Sequence, residues 1–437
     1  MNAQAEEVGA VAVGPHARVY AEGWQSWSPA TWYPADGAVP RPDLPWQHTM
    51  RLRPGTPLAD ALQGEGVLVV DPGDGRPAHA WVAAAPTEHV PTLTARTHGD
   101  HVVVAARGGD VRELTAPDGT AALAAVGDAL AQAAARPALR AAPRVWCTWY
   151  RYFEAVTADD VRDDLRAMDR LDLPVDVVQV DDGWTLGLGE ELAPNPAFGF
   201  LDRLVDDVHA AGRRVGLWVA PFLVGRDSTL ARRHPDWVMG DAGENWGTGL
   251  VGVDLTHPDL RAHLHRWLAD LVARGVDYLK LDFLYGGALP GRRHEESGEV
   301  AAYRSGLALV RDAVGPDTYL LGCGAPLLPS IGLVDAMRVS PDTFHAGGQD
   351  GSAGLRGRLS LEGRAWQHGR LWVADPDCVV ARPSFPLRHE WAAVARRSGG
   401  LRSVSDRLEE LDDDGVALVR EYLAAPVPPG PLAGSPG

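Results

Sequence analysis

Lysine is almost absent from this chain. Of its 41 Lys and Arg residues, only Lys280 is a lysine. An ammonium is a compact point charge and a guanidinium a planar fork, so a sequence that otherwise writes Arg throughout singles this position out as one that requires the amine. Cysteine is scarce too. Cys147, Cys323 and Cys378 are too few and too scattered for a disulfide framework or a zinc motif and read as reduced core thiols. Positive charge is in deficit, with a formal net charge of -17 and a pI near 5.3. That balance argues against a nucleic-acid or anionic-membrane partner and favours a neutral small molecule. No apolar stretch approaches membrane-spanning length, and MNAQAEEVGA lacks a basic region followed by an apolar core, so the expected setting is cytoplasmic. There is no HExxH helix or paired-His strand, and HEES at His294 lacks the second histidine. The expectation is therefore no metal and no other cofactor.

What is present divides the chain. Residues 1–138 carry short alternating runs such as GVLVV, HAWVAA and HVVVAAR between Gly, Pro and Asp, which predicts a β-sandwich. An Ala-rich helical connector over residues 121–138 completes this part. Residues 139–424 alternate short apolar runs with amphipathic helical stretches, the pattern of parallel strands joined by helices. Eight strand candidates begin near Arg144, Val175, Arg214, Val276, Thr318, Asp335, Arg370 and Leu401. Eight is the number that closes a (β/α)8 barrel of the TIM type. In TADDVRDDLRAM, Thr157 is the expected N-cap and Val161, Leu165 and Met168 share a face. In PDLRAHLHRWLADLV, Pro258 opens the helix and Leu260, Leu264, Leu268 and Leu271 form the apolar stripe. Residues 425–437 form a Pro/Gly tail expected to be disordered.

The lone lysine lies in VDYLKLDFLY, Val276 to Tyr285. Residues two apart on a strand share a face, so Lys280 and Asp282 project together from a run that reads as buried. Charged groups persist there only when paired, hydrogen-bonded or used for chemistry, and a structural ion pair is the plain alternative. Nearly every other predicted strand also ends in polar residues: Asp181 and Asp182, Arg338 and Asp342, Asp375 and Asp377. The C-terminal ends of barrel strands are where active sites form, although Asp also caps helices in such loops. Two carboxylates without an evident metal set suggest glycoside hydrolysis. Asp282 suits the nucleophile, since an adjacent cation favours a charged carboxylate. Asp342, after Pro341 and four residues beyond Arg338, suits the acid/base on a strand two positions around the barrel.

With these residues in place, the chain resembles glycoside hydrolase family 36, the α-galactosidases or melibiases. WCTWYRYF, QVDDGW, GLWVAPF, YLKLDF, GCG and MRVSPDT are similar to that family's strand-end signatures, in order. The resemblance implies a retaining, exo-acting hydrolase that removes terminal α-galactosyl groups from small oligosaccharides or galactosides, with Asp282 as nucleophile and Asp342 as acid/base. It further implies that Asp181 and Asp182 grip sugar hydroxyls, that Lys280, Cys323 and Arg338 add polar and steric contacts, and that Trp218 walls the pocket. By the same resemblance Tyr150, with Trp149, matches a first-strand position near the nucleophile. EGWQSWS, with Trp24 and Trp27, also resembles the family; these rings either border the substrate or pack between domains. The short β module, the loose tail and GCGAPLLPS at the fifth strand resemble a compact subgroup. Rival readings are a related α-glycosidase of different sugar specificity, a transglycosylase, a Schiff-base barrel using Lys280, and a binding protein without turnover. The state of assembly stays open.

Overall fold

The computed structural model describes residues 5–39, 45–54, 60–190, 195–199, 201–343 and 357–427. Most of the expected tail, residues 428–437, lies outside the described residues.

HVVVAAR alternates because its strand buries one face, whereas VLVVD is buried on both. The N-terminal runs form nine strands: β1 (Glu6–Ala12), β2 (Arg18–Ala21), β3 (Thr31–Pro34), β4 (Leu62–Glu65), β5 (Val67–Asp71), β6 (Ala78–Ala83), β7 (Thr92–His98), β8 (His101–Arg107) and β9 (Val111–Ala116). All their pairings are antiparallel, in one sheet ordered β1-β8-β7-β4 and another ordered β3-β2-β5-β6-β9. Val19, Leu68, Val70, Trp81, Leu93, Val102 and Val104 interlock between them. The connector helix runs Gly119–Ala133, capped by Asp118, and lays Leu123, Val126 and Leu130 inward.

The barrel follows in eight parallel strands, all at the expected places: β10 (Arg144–Cys147), β11 (Val177–Val180), β12 (Arg214–Val219), β16 (Val276–Leu281), β17 (Tyr319–Gly322), β18 (Ala336–Arg338), β19 (Val373–Asp375) and β20 (Arg402–Val404). Their order is β19-β18-β17-β16-β12-β11-β10-β20. The Gly400 and Leu401 N–H groups donate to the Ala374 carbonyl and all but close the ring between β19 and β20. Thr157 makes a full capping box with Asp160, and Val161, Leu165 and Met168 are buried. Leu260, Leu264, Leu268 and Leu271 are buried along the helix Pro258–Ala273, joined by Trp267.

Two apolar runs are shorter strands than their text suggests. RVGLWVAPFLV breaks at Pro221, and its last residues form β13 (Leu223–Gly225) in a separate antiparallel sheet with β14 (Val238–Asn245) and β15 (Thr248–Val253). RLWVADPDCVV holds a strand only over Val373–Asp375, because Pro376 follows. Proline offers no N–H to a ladder, and both breaks fall where one would be needed.

The sandwich is locked to the barrel by a buried ion pair. Arg364 Nε donates to Glu22 Oε1 at 2.8 Å, with both side chains wholly buried. The same guanidinium donates to the carbonyls of Gln25, Ser26 and Val339. Tyr20 and Gln367 complete the Glu22 carboxylate, each at 2.8 Å. EGWQSWS is thereby held against the strand ends: Ser26 N–H donates to the Ala325 carbonyl and Leu327 N–H to that of Trp24.

Candidate active site

Two buried cations organise the mouth of the barrel, one from β16 and one from β18. On the β16 side, Lys280 Nζ lies 2.9 Å from Asp181 Oδ2 and 3.7 Å from Asp282 Oδ2. Burial opposes its charge, but Asp181 and then Asp282 outweigh that and hold the ammonium well above its ordinary range. A Schiff base needs an uncharged amine, so this environment disfavours that chemistry. Asp282 follows the end of β16, where Phe283 adopts a left-handed conformation (φ 50°) and turns the chain sharply. Its carboxylate accepts Trp218 Nε1 at 3.0 Å and the Phe283 N–H at 2.8 Å. Trp218 stands beside it on β12, and Cys323, wholly buried after β17, faces Asp282, Arg338 and Lys280. Burial and then Asp282 push that thiol up, so it presents a neutral S–H.

The two acids after β11 differ. Asp181 is 1 % exposed and already accepts Lys280, Gln179 Nε2 at 2.7 Å, Cys147 Sγ at 3.4 Å and the Asp182 N–H. Asp182 accepts the Gly183 N–H at 2.8 Å. Burial, then Glu154 and Asp181, push Asp182 up to about 7. Beside it opens a groove of about 410 Å³ lined by Glu154, Thr185, Asn195, Asp227, Asn245 and Thr248.

On the β18 side, Arg338 is a fork between three carboxylates. Its Nε lies 2.9 Å from Asp375, its Nη2 2.7 Å from Asp377 and its Nη1 3.3 Å from Asp342. Burial opposes its charge, and Asp377 and Asp375 more than offset it. Asp342 keeps 40 % of its side chain open to the mouth, whereas Asp375 and Asp377 are closed off. Loss of water on its inner side, then the charge of Asp377, push Asp342 up to about 6, against the opposing pull of Arg338 and Lys280. Asp282 also acts on Asp342, so the two acids of YLKLDF and MRVSPDT share one electrostatic space. Tyr150 turns its hydroxyl to Asp377, and burial followed by Asp342 keeps it a neutral phenol.

The ten singled-out residues thus gather at one mouth. Trp149, half-buried, lines a small cavity there with Lys280 and Arg338 and makes edge contacts to Phe153 at 5.2 Å and to Trp246 at 6.4 Å. Trp246 caps the β14–β15 turn, 60 % exposed, and sequence reasoning passed over it. Asn245 and Gly247 on either side of it were the turn signal in the letters, and both Trp246 and Gly247 adopt left-handed conformations. Of the two early tryptophans, Trp27 packs edge-on against Phe283 at 5.4 Å, just behind Asp282, and Trp24 is buried with Arg53 over its ring.

Comparison with known proteins fits this arrangement. Residues 135–310 match the Melibiase family. Among curated proteins, the α-galactosidase AgaA of Geobacillus stearothermophilus is 27% identical over 164 residues, 33% of this chain and 22% of that protein. The α-galactosidase of Escherichia coli is 30% identical over 118 residues, 24% of this chain and 16% of that protein. The matched stretch is thus well under half the length of these relatives. Among solved structures, TtGalA, an α-galactosidase from Thermus thermophilus in complex with p-nitrophenyl α-D-galactopyranoside, superposes with a TM-score of 0.79 at 29% identity, covering 97% of this chain and 94% of that one. The GH36 α-galactosidase AgaA of Geobacillus stearothermophilus gives 0.65 at 13% identity, over 95% of this chain and 61% of that one, a likeness of fold.

Proposed function

We infer from this chain's site that it, similar to the melibiase family over residues 135–310, is a glycoside hydrolase that removes terminal α-galactosyl groups with net retention at the anomeric carbon. The observation that carries the reading is the pairing of two unlike carboxyls in one mouth: Asp282, held by Trp218, Lys280 and a backbone N–H, and Asp342, pushed up to about 6. One suits attack and the other suits proton donation. The relative from Thermus thermophilus, described in complex with an aryl galactoside and with stachyose, supports the substrate class.

In the proposed sequence the Asp282 carboxylate attacks the anomeric carbon while Asp342 gives its proton to the departing glycosidic oxygen. A covalent glycosyl–Asp282 ester results. Asp342, now a carboxylate, takes a proton from water as that water attacks the same carbon, which releases galactose and restores both acids. Asp182 and Lys280 offer an acceptor and donors to the ring hydroxyls, and Asp181 contributes whatever lone pairs Lys280 and Gln179 leave. Trp218, Cys323 and Tyr150 bound the pocket, Arg338 steadies its acid side, and Trp149 faces whatever projects from it. We assign residues 139–424 to the chemistry and residues 1–138 to its support. No helix among the described residues is long and apolar enough to cross a membrane, and three buried free thiols suit a reducing compartment such as the cytoplasm.

The test compares aryl α-galactoside with aryl α-glucoside, then repeats the assay on Asp282→Gly with azide. The expected outcome is a preference for the galactoside, lost turnover in the variant, and partial recovery with β-galactosyl azide as product. Full activity in Asp282→Gly, or an α-configured azide, overturns the assignment.

A further inference from the structure

The acid side of the mouth contains a group that the reaction above does not use. Asp377 follows β19 with φ 79°, the most extreme left-handed value among the non-glycine residues described. Such a conformation persists only where the surroundings over-determine it. They do so here through the side chain, which is 2 % exposed. Its Oδ1 accepts Arg338 Nη2 at 2.7 Å and the Cys378 N–H at 2.7 Å. Its Oδ2 accepts the Tyr150 hydroxyl and the Thr343 N–H at 2.7 Å. The Thr343 hydroxyl lies 3.1 Å from the same oxygen and 2.8 Å from the Cys378 carbonyl. Thr343 is the residue immediately after Asp342.

We propose that Asp377 is the positioning residue of the proton-donating carboxyl: buried out of reach of a sugar, it grips Thr343 and so fixes where Asp342 enters the mouth. The proposal rests on the reading of Asp342 as acid/base. A second effect accompanies the grip, because Asp377 brings a negative charge close to Asp342. The charged and titratable groups facing Asp342 are Asp377, Arg338, Lys280 and Asp282, with Tyr150 and Cys323 acting on it from β10 and β17. Three carboxylates, Asp375, Asp377 and Asp342, share the one guanidinium, and Asp342 stands farthest from it, at 3.3 Å against 2.9 and 2.7 Å. Its charge is the least compensated of the three, so the proton is held there, on the one carboxyl open to the mouth, where a leaving group can collect it.

Asp377→Asn keeps the shape and removes the charge. The measurement is kcat/KM against pH for two galactosides, phenyl and 2,4-dinitrophenyl, in the full-length variant beside Asp342→Asn. The expected result is a loss at least about tenfold greater for the phenyl leaving group, which needs the proton, than for the dinitrophenyl group, which does not. The alkaline limb should also move down by about one pH unit. Equal losses for both substrates with an unmoved limb would overturn the positioning role. If Asp342→Asn itself shows no leaving-group dependence, the acid/base reading fails first. Should Asp377→Asn not fold, Tyr150→Phe serves. It strips a donor from Asp377 and leaves the charge, so the limb should move up, and an unchanged limb counts against the proposal.

Discussion

The two sides of the barrel mouth use the same device with different stoichiometry. On the β16 side one ammonium stands between two carboxylates, Asp181 and Asp282. On the β18 side one guanidinium stands among three, Asp375, Asp377 and Asp342. The choice of cation follows from the count. A point charge satisfies two close neighbours, while a planar fork with several N–H groups is needed to reach three at once. The surplus carboxylate has a chemical consequence: an acid crowded by like charge holds its proton more tightly. On the proposed reading one side is thereby suited to attack and the other to donation, and the difference is made by buried residues as much as by Asp282 and Asp342 themselves.

The comparison breaks most visibly when the two acids are exchanged for amides. Asp282→Asn should abolish turnover of every substrate, a fall on the order of 10⁴-fold or more, since no group remains to form the ester. Asp342→Asn should cost about 10² to 10⁴-fold for a poor leaving group and far less for an activated one. Steady-state assays across a leaving-group series separate the two, and equal profiles would dissolve the distinction.

Exchanging the cations should come next in size. In Arg338→Lys a point charge replaces the fork, so at most one of three carboxylates keeps close contact. kcat/KM should fall about 10²-fold, with the alkaline limb moving up as the remaining charge draws away from Asp342. Lys280→Arg places a larger group where 2.9 and 3.7 Å separations already define the space. It should reduce kcat without that shift of the alkaline limb. Like pH profiles for both variants would mean the sides are not functionally distinct.

The smallest expected effect concerns stability. Asp182 is pushed up to about 7, so the native state holds a proton that the unfolded chain releases near pH 4. Its stabilising contribution is therefore complete below about pH 4 and is lost as pH rises towards 7. Asp182→Asn should remove that slope. The variant should be more stable than the parent at pH 8, by an amount on the order of a few kcal/mol, and level with it at pH 4, as read by urea unfolding. The proposed galactosidase activity should fall meanwhile, an exchange of function for stability.

Much of this was legible in the sequence because barrels write their sites at strand ends. Apolar runs closed by Asp, Lys or Arg located β11, β16 and β18 and gave Asp181, Lys280, Asp282, Arg338 and Asp342 directly. The solitary lysine needed no pattern at all. What the letters do not carry is long-range. Asp377 in DPDC is legible as a strand-end acid, but its partners are 227 residues away at Tyr150 and 34 away at Thr343. No local periodicity encodes such contacts. The β14–β15 hairpin escaped for another reason: VMGDAGEN and TGLVGV are interrupted by glycines and carry no clean alternation. The break of the third run at Pro221 was present in the letters, but a continuous apolar string conceals a change of sheet.

The salt link between Glu22 and Arg364 bears on how this molecule can be re-engineered. Because one guanidinium ties the tryptophan-bearing segment of the sandwich to the carbonyl of Val339, three residues ahead of Asp342, the front portion cannot be treated as a detachable cassette. A barrel produced alone would leave a cation stranded without its counter-ion, and a graft of foreign β-sheet would have to supply an acid at that one spot before anything else about it mattered.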